Sequence, residues 1–287
     1  MRRIAAISLL CAASIPAAAT PAITGADTGA RAIIEAAGDA RLVMVGELHG
    51  TREAPALVAA LARHYVDHGP VVVALEVHAS EHPRLRAYLA SDGNDRARRA
   101  LRSGAFWNVP RERNDGRRTQ AMLELVEAAR RLRGAGHGIA VLPFDPAGPD
   151  QAHPTRDRDM ATVLRAGFDA LPASGRMLVL TGNRHAMRAM PADSGLRGLD
   201  TAAGYLLDLP LHSVNVIGVD WAFQACMSMA EPCRRLEGRY EWAAPGSTTG
   251  DRADATRQFD QVLTLPRLTP SPLLEPLPPT PAAAAGR

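Results

Sequence analysis

The segment Leu42-Val43-Met44-Val45-Gly46 has no polar residue to turn toward water on either face. A strand of this kind must be covered on both sides, which favours a parallel sheet flanked by helices. Val71 to Val77 repeats the pattern, interrupted only by Glu76. Further strands are expected at Ile139 to Phe144, Met177 to Thr181, Ser213 to Val219 and Gln261 to Leu265. Helical patterns separate them. Glu53 to His68 sets Leu57, Leu61 and His64/Tyr65 on one face and ends at Gly69-Pro70. Helical patches run to Leu101, and Phe106, Trp107 and Pro110 mark an irregular segment. Asp115 or Gly116 precedes a long helix, Arg117 to Arg133, and Thr155 or Asp157 caps another that ends near Ala170. The alternation predicts an α/β fold: a mostly parallel central sheet with helices on both faces.

The N-terminus reads Met1-Arg2-Arg3, an apolar run from Ile4 to Ile15, then Pro16-Ala17-Ala18-Ala19. This is the pattern of a secretory signal, assigned to residues 1–19, and its apolar run is too short for a mature membrane span. Cys11 would suit lipidation, but Leu10 stands where a small residue is needed. The expected organisation is a lead-in over 20–40, a single α/β domain over 41–267 and a disordered Pro/Ala-rich tail over 268–287. The mature chain is expected to be periplasmic or secreted, without a transmembrane segment.

Two of the 33 basic residues, Arg2 and Arg3, fall in the leader, so the remainder nearly balances the 30 acidic ones. No nucleic-acid partner is expected. Every basic residue is Arg, which excludes a Schiff-base lysine, a P-loop lysine and a Ser-Lys dyad. His-Glu-x-x-His, Gly-x-Ser-x-Gly and Cys-x-x-Cys-His are absent. Gly134-Ala135-Gly136-His137-Gly138 precedes a strand, so it is no dinucleotide fingerprint. Cys226 and Cys233 remain after the leader; in an exported chain they suggest a short disulfide loop, the alternative being a Cys-type metal site.

Candidate chemistry collects at one sheet edge. His49, His78, His82, His153 and His185 follow strands, and so do Glu47, Glu53, Glu76, Asp145 and Asp220. The C-terminal edge of a parallel sheet is where ligands bind. Glu76 ends an otherwise apolar strand and needs a partner there, and Asp145 repeats that pattern after Phe144. Asn183 and His185 follow Gly182 much as His49 follows Gly46. Glu47 has the simpler role of capping backbone amides, and Glu53 that of facing a helix N-terminus. Arg113, Arg117 and Arg118 read as solvated surface, the alternative being a clamp for an anionic substrate.

Through Gly46-Glu47-Leu48-His49, the Glu76 strand end and Gly182-Asn183-Arg184-His185, the chain resembles the superfamily that joins erythromycin esterases, ChaN-type haem-binding proteins and TraB/Tiki proteins. Residues 41 to about 270 follow its motif order, and Trp221 with Cys226 and Cys233 resembles the ChaN-like branch. The resemblance implies a site built from His49, Glu76 and His185. In the esterases the residue matching His49 activates water; in Tiki proteins the matching positions bind a divalent metal; in ChaN the pocket side binds haem.

The resulting expectation is a hydrolase of a small-molecule or peptide ester or amide. His49 serves as base or metal ligand, Glu76 orients it or co-ligates, and His185 is a second ligand or stabilises negative charge. Glu47, Glu53, Asp145 and Asn183 support them. Zn or Mn would suit such N/O donors. The alternative is a non-catalytic haem-binding protein with a His or Tyr ligand, Tyr88 and Tyr205 being the tyrosine candidates.

Overall fold

The computed structural model of the chain describes residues 25–146, 155–191, 200–227, 230–240 and 258–278. The expected leader, His153 and the tail beyond residue 278 lie outside the described residues. The elements run α1 (Ala26–Ala37), β1 (Leu42–Glu47), α2 (Glu53–Tyr65), β2 (Val71–His78), α3 (His82–Leu89), α4 (Asp95–Arg102), α5 (Gln120–Gly134), β3 (Ile139–Asp145), α6 (Arg156–Asp169), β4 (Arg176–Gly182), α7 (Asn183–Ala186), β5 (Leu211–Ala225), β6 (Arg234–Arg239) and β7 (Gln261–Leu268).

Among the described residues seven strands form one sheet, ordered β3-β2-β4-β1-β5-β6 with β7 beside β5. Every pairing is parallel except β5 with β6. Alternate residues of each strand feed two cores, as the period of two requires. Val43, Val45, Leu178 and Leu180 meet Ile33, Leu57, Leu61 and Leu125 on the face covered by α1, α2 and α5. Leu42, Met44, Met177 and Val179 meet Met160, Leu164, Phe168 and Ala186 on the face covered by α6 and α7. Each such fully buried aliphatic side chain stabilises the fold by about 1.5–3 kcal/mol. The mostly parallel sheet with helices on both faces is the one the strand pattern predicts.

The order of strands in space positions the site. β4 is inserted between β1 and β2, so Glu47 pairs with Gly182 and Leu75 with Leu180. Three strands distant in sequence therefore end side by side. Gly46 permits the close approach: a Cβ there would lie 2.9 Å from the Asn183 Cα.

Several boundaries differ from the sequence reading. The lead-in contains α1, whose Ala30, Ile33 and Ala37 are buried and which ends at Gly38 with φ of 51°. α5 is capped by Thr119, whose side chain accepts from the Met122 amide, and not by Asp115 or Gly116. β5 continues past Val219 and turns into β6 through a hairpin closed by the Cys226–Cys233 disulfide. β6 was not expected because Arg234-Arg235-Leu236-Glu237-Gly238-Arg239 is polar; it is an exposed strand, where charged residues discourage pairing with other chains.

The expectation of a disordered tail fails over residues 268–278. This segment is a strap: Ser271 N donates to Gly50 O, Leu274 N to Arg118 O, and Gln120 N to Pro272 O. Leu268 and Leu274 are buried, which offsets the cost of ordering a chain without regular structure. No helix among the described residues is long and apolar enough to cross a membrane.

Candidate active site

The ends of β1, β2 and β4 open into a cleft of about 800 Å³. Glu47, His49, Glu76, Asn183 and His185 line it together. His49 sits in the turn after β1, where Gly50 (φ 84°) and Gly116 (φ 96°) let two loops touch; a Cβ on Gly116 would lie 2.8 Å from the His49 carbonyl carbon. The strap and the β5 hairpin fix the same turn, the latter through Gln224 N donating to His49 O.

His49 lies between two carboxylates. Its Nδ1 is 3.1 Å from Glu47 Oε1, and its Nε2 is 3.7 Å from Glu76 Oε2. The first contact is a hydrogen bond, in which Nδ1–H donates to an ionised Glu47; the second is beyond hydrogen-bond range and is an electrostatic contact only. Burial disfavours the imidazolium, but the Glu76 charge and the Glu47 hydrogen bond outweigh it and raise the His49 pKa above 6.5. Burial raises the pKa of Glu47 despite its bond to His49.

Glu76 is buried and fully engaged. Oε2 accepts from Thr181 Oγ1 and Gly182 N, both at 2.7 Å. Oε1 accepts from Arg156 Nη2 at 2.8 Å and Arg117 Nη1 at 3.2 Å. Burial opposes its charge, but His49, His185, Arg117 and Arg156 hold its pKa well below 4.5. Asp145, also buried, shares both arginines: its Oδ2 accepts from Arg156 Nη2 at 2.8 Å and Arg117 Nη1 at 2.9 Å.

His185 is turned to another task. Its Nδ1 lies 2.6 Å from Asp157 Oδ1, and its Nε2 accepts from Arg156 Nη1 at 2.9 Å. Asp157 is further fixed by the Ala202 amide at 2.9 Å. The chain Asp157–His185–Arg156 thus orients a guanidinium and leaves the imidazole with no open nitrogen.

Sequence reasoning gave no part in the site to Asp115, Arg156 or Asp157, and it read Arg117 and Arg118 as surface. Asp115, Arg117 and Arg156 line the site as a polar network, and Asp157 supports it from behind His185. Arg117 and Arg118 are not solvated surface but buried at 1% and 4% exposure. Arg118 lies over the Phe106 ring, 4.3 Å from its centroid. The legible signal was charge balance: three carboxylates at buried strand ends require cations, and Arg is the chain's only strong base. Glu53 does not join the site; its Oε2 accepts from Thr269 N and anchors the strap. His82 is exposed, whereas His78 touches the cleft and is held neutral, its pKa lowered to about 4 by burial and the nearby Arg117.

The donors do not suit the divalent metal considered from sequence. Both Glu76 oxygens and the His185 Nε2 already accept from O–H or N–H groups, and a cation there would face Arg117 and Arg156. Among the described residues no three His, Cys, Asp or Glu are arranged to hold a metal ion. Neither tyrosine considered for haem lines the cleft. Tyr88 is buried with its hydroxyl donated to Glu127 at 2.8 Å, and Tyr205 sits in an exposed turn after residue 203. Cys226 and Cys233 form a disulfide, which suits an oxidising compartment and excludes thiolate ligation of a metal.

No protein-family model matches the chain, and no curated protein matches it. Solved structures do. A succinoglycan biosynthesis protein matches with a TM-score of 0.57 at 12% identity, over 85% of this chain and 92% of that one. A mutant erythromycin esterase in its open conformation matches with 0.54 at 12%, over 85% and 95%. A protein from Bacillus cereus matches with 0.56 at 10%, over 91% and 96%. The chain has the erythromycin esterase-like fold that its motifs imply.

Proposed function

We propose that the chain is an exported hydrolase of an ester or amide in which His49 acts as general base. The observation that carries this is the placement of the imidazole: Nδ1 on Glu47, with Nε2 set 3.7 Å from Glu76 Oε2 at the wall of a cleft. A fold shared with an erythromycin esterase supports the reaction class, and the disulfide supports export.

In this reading a water enters the cleft and donates to His49 Nε2, with the Glu76 charge beside the ring. Nε2 takes its proton as the oxygen attacks the carbonyl carbon and the C=O π electrons move to oxygen. Glu47 and Glu76 stabilise the imidazolium that forms, so the proton transfer is not opposed by burial. Arg156, which lines the cleft, supplies positive potential for the oxyanion. Collapse of the tetrahedral intermediate breaks the bond to the leaving oxygen or nitrogen, and the imidazolium returns its proton there. Glu76 must remain ionised throughout, which Arg117 and Arg156 enforce. His185, with Asp157, is a positioning residue for Arg156.

The test is a panel of aryl esters and amides assayed with the wild-type chain and with His49→Ala and Glu76→Gln. Hydrolysis by the wild type and its loss in His49→Ala support the reading. Equal rates in wild type and His49→Ala overturn it.

A further inference from the structure

The charges of the cleft narrow the class of substrate. Five guanidiniums line it, those of Arg113, Arg117, Arg118, Arg156 and Arg184, against three carboxylates, Glu47, Glu76 and Asp115. The other two carboxylates of the network, Asp145 and Asp157, do not line the cleft. Arg117 spends all three nitrogens on Asp115, Glu76 and Asp145. Arg156 does the same on Asp145, Glu76 and His185.

Arg118 and Arg184 are less committed. Arg118 donates Nε to Phe106 O and Nη1 to Asp115, while its Nη2 makes no hydrogen bond among the described residues. Arg184 is 48% exposed beside His185, and its one ion pair among the described residues, 3.5 Å to Asp157, is to a carboxylate already bonded by His185 and the Ala202 amide. Arg118 lies just before α5 and Arg184 lies in α7, and both line the one cleft. Two guanidiniums that line one cleft and are not saturated by protein acceptors suit a carboxylate or phosphate.

We propose that the cleft selects substrates bearing an oxyanionic group near the scissile bond, held by Arg118 and Arg184. The choice of substrate rests on the hydrolase reading; the anion site itself does not. The experiment compares 4-nitrophenyl acetate with 4-nitrophenyl hemisuccinate, which adds one carboxylate to the acyl group. The expected kcat/KM ratio favours the hemisuccinate by about tenfold, the effect of one charge-assisted hydrogen bond. That ratio falls by about the same factor in Arg184→Gln and shrinks in high salt. A ratio near one, or one unmoved by Arg184→Gln, overturns the proposal. Competition by succinate and by inorganic phosphate then distinguishes a carboxylate site from a phosphate site by which of them inhibits at lower concentration.

If no ester or amide of the panel is hydrolysed, the hydrolase reading fails and inorganic phosphate alone decides the anion site. A phosphate-dependent rise in Tm that is reduced in both Arg184→Gln and Arg118→Gln upholds it. An equal rise in wild type and variants, or none, overturns it.

Discussion

The bare backbone of Gly182 is what makes room for the His49 ring. A Cβ at residue 182 would lie 3.0 Å from His49 Nε2 and 3.6 Å from Glu76 Oε2. The amide of Gly182 meanwhile donates to that same Glu76 oxygen. One residue therefore sets the spacing between base and carboxylate from the strand that separates them in the sheet.

Gly182→Ala should push the imidazole away from Glu76. We expect a loss of kcat larger than any loss of stability, because the added methyl meets the end of a side chain in a cleft. Thermal denaturation beside steady-state kinetics checks this; an unchanged kcat would show that the spacing is immaterial.

His49→Ala should lower kcat/KM by about 10²–10⁴-fold, the usual effect of a general base. The fold should persist, since His49 is a partly exposed turn residue whose backbone bonds do not depend on its side chain. Circular dichroism and initial rates on the same preparation separate the two effects.

The rate should rise with pH, because the base must be neutral. Glu76 and Glu47 raise the His49 pKa, so the midpoint should lie above 6.5. Glu47→Gln removes a charge and weakens a hydrogen bond that both favour the imidazolium, so the midpoint should move to lower pH. A shift to higher pH would contradict the assignment.

Much of this was legible from residue order. Apolar runs ending at Glu47, Glu76 and Asp145 located the strands and their common edge. What the chain order hid was β4 lying between β1 and β2, which brings Thr181 and Gly182 onto Glu76. Arg117 and Arg156 were obscure because a charged side chain is ordinarily solvated; here buried carboxylates hold both inside. α1 was overlooked although Ala30, Ile33, Ile34 and Ala37 carry helical spacing, because small residues give a faint apolar signal. The strap has no periodicity at all; its order comes from bonds to the His49 turn and to the Arg118 segment.

Stability should fall in acid partly through Glu76. Its folded pKa lies below the ordinary 4.5, so its contribution is complete above that value and is lost as pH falls toward the depressed one. Glu76→Gln should flatten this limb of the stability curve. It should also destabilise the protein near neutral pH, by no more than about 3–5 kcal/mol, because the buried network loses one of its charges while Asp145 remains as a partner for both Arg117 and Arg156. Denaturant unfolding between acid and neutral pH measures both.

The most direct test is the pH dependence of kcat/KM for hydrolysis of an aryl ester, measured for wild type and His49→Ala after treatment with a chelator. The account predicts a wild-type rate that survives chelation and climbs through a pKa above 6.5, with that step missing in the variant. A variant that keeps the same activity and the same profile would contradict it.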